Sequence, residues 1–152
     1  MEHAPATGPF DHESVVRMLT YALSDLPVGL LVYHLEDPDV ARSLRLLYAN
    51  RAASEYTGAD LSGAIGKRIL EAFPGLASTD LPEQYADVAR EGRARNIGAF
   101  EYGGDRDVKR AHYAVKAFPM PGACVGIVFE NITTRRKVEE MVRRLREKGS
   151  GG

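Results

Sequence analysis

Between residues 96 and 131 the chain passes through three strand-like segments, NIGAFEY (96–102), VKRAHYAVKAF (108–118) and ACVGIVFEN (123–131). Only GGDRD and PMPG separate them, and their glycines, prolines and aspartates have the composition of hairpin turns. The segments therefore read as antiparallel neighbours. Two earlier apolar runs, VGLLVYHL (28–35) and LRLLYAN (44–50), read as further strands. Strands and helices thus fall into separate runs, which predicts an α+β fold on an antiparallel sheet and excludes a doubly wound parallel one.

The stretch between the two groups of strands is helical by its punctuation. Asn50 has the chemistry to cap RAASEYT, and Gly58 the position to end it left-handed. Asp60 can cap a turn through LSGAIG, and KRILEAFPG reads as a short helix stopped at Pro74-Gly75. Thr79 and Asp80 offer caps to a helix in which Pro82 comes early, where its missing N–H costs nothing. Leu81, Tyr85, Val88 and Ala89 form its apolar stripe, and Gly92 ends it.

At 152 residues the chain has room for one domain with a sizeable core. A net charge of -1 gives no reason to expect a nucleic-acid partner. It conceals an asymmetry, because residues 135–148 carry a local +4 and leave about -5 for the rest. The single cysteine, Cys124, excludes an internal disulfide and a cysteine-based zinc site, and reads as a small buried strand residue. No signal sequence and no apolar run near 18 residues is visible, so a cytoplasmic fragment without membrane contact is expected. Residues 1–10 read as a disordered leader and 149–152, GSGG, as a linker-like tail.

Two amphipathic helices flank this body. In residues 11–26, with Asp11 or Ser14 as cap, Val15, Met18, Leu19 and Ala22 follow helical spacing. In residues 132–148, Val138, Met141, Val142 and Leu145 make a narrow stripe amid charge. Such stripes need a surface. The first predicts a homodimer interface; the second fits pairing with another subunit, continuation into a coiled coil, or a solvated tail.

YANRAASEYTGADLSGAIGKRI and CVGIVFENITTRRKVEE together resemble the PAS domain, the small sensory fold of bacterial signalling proteins. The first resembles the family's second strand, Asn-capped helix and Gly-ended turn. The second resembles its last strand and Asp-Ile-Thr junction. The resemblance covers about residues 24–147 and implies a five-stranded antiparallel sheet with short helices over one face. It also implies a PAS core at 27–131, a C-terminal signalling helix, and an effector domain in a parent protein such as a histidine kinase. Asn131 stands where the family has Asp, so with Thr133 it can cap the junction but cannot hold an ion pair.

The resemblance also bears on cofactors. Ile69 occupies the position of the flavin branch's reactive cysteine, and Phe129 that of its flavin-contacting Gln, which argues against a flavin adduct. No histidine lies on the long helix, and His34 and His112 are the only ones in the body, which argues against haem. No ligand spacing suggests a metal. Alternation turns Val125, Ile127 and Phe129 inward with Tyr113 and Val115, and Ile69 and Phe73 close the space from the helical side. That lining suits a small apolar or aromatic ligand, or simply fills the core. No nucleophile–base pair or paired carboxylates suggest catalysis, so a small α+β enzyme is the weakest reading.

Overall fold

Leu31, Tyr33 and Leu35 alternate with Val32 and His34 along β1 (Gly29–Leu35), so one face of the strand is buried and the other half-buried. The same period of two runs through β4 (Ala111–Met120) and β5 (Cys124–Asn131). There Tyr113, Val115, Ala117, Val125, Ile127 and Phe129 are buried, while Ala114, Val128 and Glu130 stay half-exposed. The structure, a computed structural model, describes residues 11–24, 26–102 and 111–150. Among the described residues five strands form one antiparallel sheet in the order β2-β1-β5-β4-β3, with β2 (Leu44–Ala49) and β3 (Arg95–Tyr102) at its edges. The fold is the α+β arrangement read from the sequence.

The first and last strands are neighbours at the centre, with Gly29 opposite Phe129 and Tyr33 opposite Val125. β1 follows the N-terminal helix α1 (His12–Ser24), and β5 leads into the C-terminal helix α5 (Thr133–Ser150). Because the two strands are antiparallel, both helices depart from the same end of the sheet. Asp11 caps α1 by accepting from the Ser14 N–H at 2.8 Å.

Helices α2 (Arg51–Thr57), α3 (Ile69–Ala72) and α4 (Leu81–Glu91), joined by short 3-10 turns, cover the inner face. Their ends follow local chemistry. Asn50 Oδ1 accepts from the Ala53 N–H, and Gly58 closes α2 at φ 77°. At α4 the cap comes from Thr79, whose Oγ1 accepts from the Leu81 N–H at 3.2 Å, while Asp80 makes no capping bond. In the expected α4 stripe, Leu81, Tyr85 and Val88 are buried, but Ala86 is fully buried and Ala89 only partly.

The β4–β5 hairpin is tighter than its composition suggested. Pro119 and Met120 continue β4, and only residues 121–123 turn, with Gly122 at φ 75° and Ala123 at φ 59°. Pro119 is tolerated because β3 pairing ends at Arg95 opposite Ala117, so no β3 acceptor waits for its missing N–H. The start of the strand expected at 108–118 falls partly in 103–110, outside the described residues, as does the leader 1–10. Cys124 lies half-buried on the outer face, not in the core. α5 runs on through Gly149 and Ser150 of the expected linker.

Candidate functional site: an interior cavity and two terminal junctions

Between the inner face of the sheet and the helices over it lies a cavity of about 70 Å³. β1 contributes Leu31 and Tyr33, β4 Tyr113 and Val115, and β5 Ile127 and Phe129. The helical side contributes Thr57, Phe73, Leu76, Leu81 and Tyr85. None of these side chains is charged, and all are buried. Tyr33 stacks on Tyr85 with ring centroids 6.1 Å apart, and Tyr113 meets Phe129 edge-on at 5.6 Å.

Of the seven side chains that the sequence put around a pocket, Tyr113, Val115, Ile127, Phe129 and Phe73 line the cavity. Val125 and Ile69 do not. Both are fully buried in the same core, but the gap opens further along β5, where Ile127 faces Leu31 and Phe129 faces Gly29. Sequence reasoning missed Leu31 and Tyr33, although the period-two pattern of β1 carried the signal. It also missed Leu76, whose 3-10 setting gives no periodic signal, and it saw Leu81 and Tyr85 only as a helix stripe.

Two of the four hydroxyls around the cavity, those of Thr57 and Tyr113, are occupied. Thr57 Oγ1 donates to the Ala53 carbonyl at 2.8 Å, and Tyr113 Oη to the Tyr56 carbonyl at 3.3 Å. Tyr33 Oη is buried with no partner among the described residues. Burial pushes the Tyr33 and Tyr85 phenols above their ordinary range, so both stay neutral donors.

Hydrogen bonds, buried at Asn50 and more open at the chain's other junction, connect this core to the two terminal helices. Asn50, 2% exposed, accepts at Oδ1 from the N–H groups of Leu30 (2.9 Å) and Ala53 (3.0 Å). Its Nδ2 donates to the carbonyls of Leu23 (2.8 Å) and Val28 (2.9 Å). One amide thereby fastens the end of α1 and the start of β1 to α2. Tyr56 Oη donates to the Pro27 carbonyl in the same link. At the other junction, Ile132, 5% exposed, donates its N–H to the His112 carbonyl at 2.8 Å, and Thr133 Oγ1 accepts from the His112 N–H at 2.9 Å. Asn131 Oδ1 accepts from the Thr133 N–H at 3.0 Å.

Beyond these junctions both helices expose their stripes. Val15, Met18, Leu19 and Ala22 of α1 are exposed, with Leu19 at 58%. So are Val138, Met141, Val142 and Leu145 of α5, with Leu145 at 64%. Among the described residues no group of three or more His, Cys, Asp or Glu could hold a metal ion, and no helix is long and apolar enough to cross a membrane.

A five-stranded antiparallel sheet with short helices over one face, a cavity between them and helices leaving from one end define a small α+β module. A family profile described as PAS fold matches residues 24–137, and the chain belongs to the PAS family, a sensory and signalling fold found in multidomain bacterial regulators. A search among curated proteins finds no match. Among solved structures, an RNA-binding Light-Oxygen-Voltage receptor is similar at TM-score 0.64 and 19% identity, over 99% of this chain and 42% of that one. A domain of a sensory box sensor histidine kinase/response regulator from Geobacter sulfurreducens is similar at TM-score 0.60 and 10% identity, over 82% and 100%. The PAS domain of Bordetella pertussis BvgS is similar at TM-score 0.51 and 16% identity, over 90% and 96%. At these identities the likeness is one of fold. The chain spans under half the length of the Light-Oxygen-Voltage receptor.

Proposed function

We propose that this PAS domain is the sensor and dimerisation module of a larger signal-transduction protein, in which the state of the core cavity is relayed through α1 and α5. The observation that carries this reading is the position of two adjacent residues. Tyr113 lines the cavity, and the backbone of His112 next to it holds the first residues of α5. A shift of β4 at the cavity wall therefore acts on the helix start without slack. On the other side, Tyr113 Oη bonds Tyr56, whose own hydroxyl bonds Pro27 between α1 and β1.

The exposed stripes of α1 and α5 leave the same end of the sheet and supply the dimer interface. Their parent context fits the sensor histidine kinases in which similar PAS domains occur. Sedimentation equilibrium tests this part. The wild type associates, and Met18→Glu with Met141→Glu drives it to monomer; a wild type that stays monomeric at high concentration removes the dimer.

A second reading, a structural dimeriser and relay without ligand, is favoured by the cavity's size. At about 70 Å³ it is well below the ~300 Å³ at which drug-sized sites begin. Native mass spectrometry separates the two, since a sensor carries a co-purifying small mass that unfolding releases. Hydrogen exchange tests the relay common to both. Overpacking the cavity with Val115→Phe changes amide protection at residues 132–137, and unchanged protection there overturns the relay.

A further inference from the structure

The geometry points to a ligand class for the cavity: a small uncharged molecule with one hydrogen-bond acceptor oxygen, a ketone, aldehyde or ether, accepting from Tyr33 Oη. This inference rests on reading the cavity as a ligand site and adds what that site selects.

Three observations carry it. First, Tyr33 lines the cavity, is 0% exposed, and has no partner for its hydroxyl among the described residues. A buried hydroxyl without a partner is costly, and the cost is removed when an acceptor is brought to it. The neighbouring hydroxyls of Thr57 and Tyr113 already donate to backbone carbonyls, which leaves the two stacked phenols, and of these the Tyr33 hydroxyl is the one wholly buried without a partner among the described residues. Second, among the described residues the lining contains no Lys, Arg or His, so a carboxylate or phosphate would be buried without a countercharge. It contains no Asp or Glu either, which excludes a cation in the same way. Third, the cavity of about 70 Å³ is roughly half the ~150 Å³ of one that takes benzene, so a ligand of about four or five non-hydrogen atoms fits. The Tyr33 ring stacks on that of Tyr85, so its hydroxyl is carried on a packed ring.

The test uses 2-butanone and its hydrocarbon isostere 2-methyl-1-butene, titrated into wild type and Tyr33→Phe and followed by amide chemical shifts. Both bind the wild type, with shifts centred on Leu31, Ile127 and Phe129. Tyr33→Phe weakens 2-butanone by roughly three- to tenfold, the factor of one net hydrogen bond, and does not weaken the alkene. In the wild type alone, the bound ketone's carbonyl carbon resonates downfield of its value in hexane, as a hydrogen-bonded carbonyl does. If both probes bind but Tyr33→Phe leaves the ketone unaffected, or the carbonyl resonates as in hexane, Tyr33 is no donor and the cavity reading survives alone. If neither probe binds, the cavity is no ligand site and both readings fall.

Discussion

Thr133 Oγ1 accepts a 2.9 Å hydrogen bond from the backbone N–H of His112, while the carbonyl of the same residue accepts from Ile132. The first helical residue of α5 is thereby tied to β4 by a side chain that could instead have capped its own helix. Replacing the hydroxyl by a methyl in Thr133→Val removes the acceptor with little change in volume. About 1–2 kcal/mol of stability is expected to go. Amide exchange should quicken at His112 and through the first turn of α5, and Thr133→Ser should restore both. A valine variant that melts and exchanges like the wild type would show that Ile132 alone anchors the helix.

Asn50 does more than start α2. Loss of its four side-chain bonds in Asn50→Ala is expected to cost about 3 kcal/mol or more in urea melts. Asn50→Asp keeps the acceptor oxygen but turns a carboxylate oxygen toward the carbonyls of Leu23 and Val28. Those carbonyls and burial raise the new group's folded-state pKa. The ionisation part of its penalty is therefore absent below the unfolded pKa of about 3.9 and grows as pH rises from there to the folded value, while loss of one of the two donors costs the same at every pH. The gap to wild type should widen from acid to neutral pH; a gap independent of pH would mean that burial and the two carbonyls do not disfavour the carboxylate.

Gly29 has no side chain because Phe129 occupies the space. A Cβ there would lie 2.5, 2.6 and 2.8 Å from three atoms of the Phe129 ring. Gly29→Ala should push that ring from its place at the cavity wall and cost about 1–3 kcal/mol. Phe129→Leu in the alanine background should recover part of the loss, giving a coupling energy in a double-mutant cycle. Additive losses would mean that the ring does not constrain Gly29.

Alkaline pH should unfold the domain through its buried phenols. Burial raises the pKa of Tyr33, and likewise of Tyr85, above the ordinary value of 10.0. Below that value both states keep the proton, so the contribution is complete. Above it the unfolded chain releases protons that the folded one retains, and stability falls with pH. Urea midpoints from about pH 9 to 11 should decline, with tyrosinate absorbance from these rings appearing only on unfolding. A variant carrying Tyr33→Phe and Tyr85→Phe should decline less steeply; equal slopes would assign the loss to other groups.

The sequence by itself determined whatever a short window can encode. Strand alternation turned Tyr113, Val115, Ile127 and Phe129 inward, because a pleated strand has a fixed period of two. Asn50 and Gly58 bounded α2, because a cap is a bond to a residue three or four positions away. The stripes of α1 and α5 were equally plain, since helical spacing needs no partner to be read. Tertiary structure alone decided the pairing of β1 with β5, which brings both terminal helices to one end of the sheet. It decided that Asn50 reaches back to Leu23 and Val28, and that Thr133 turns to His112. It also decided that the gap lies beside Tyr33 and not beside Val125 or Ile69. These are contacts between residues about 20 or more positions apart. Their geometry follows from strand register and the packing of whole elements, which no local pattern of residues contains.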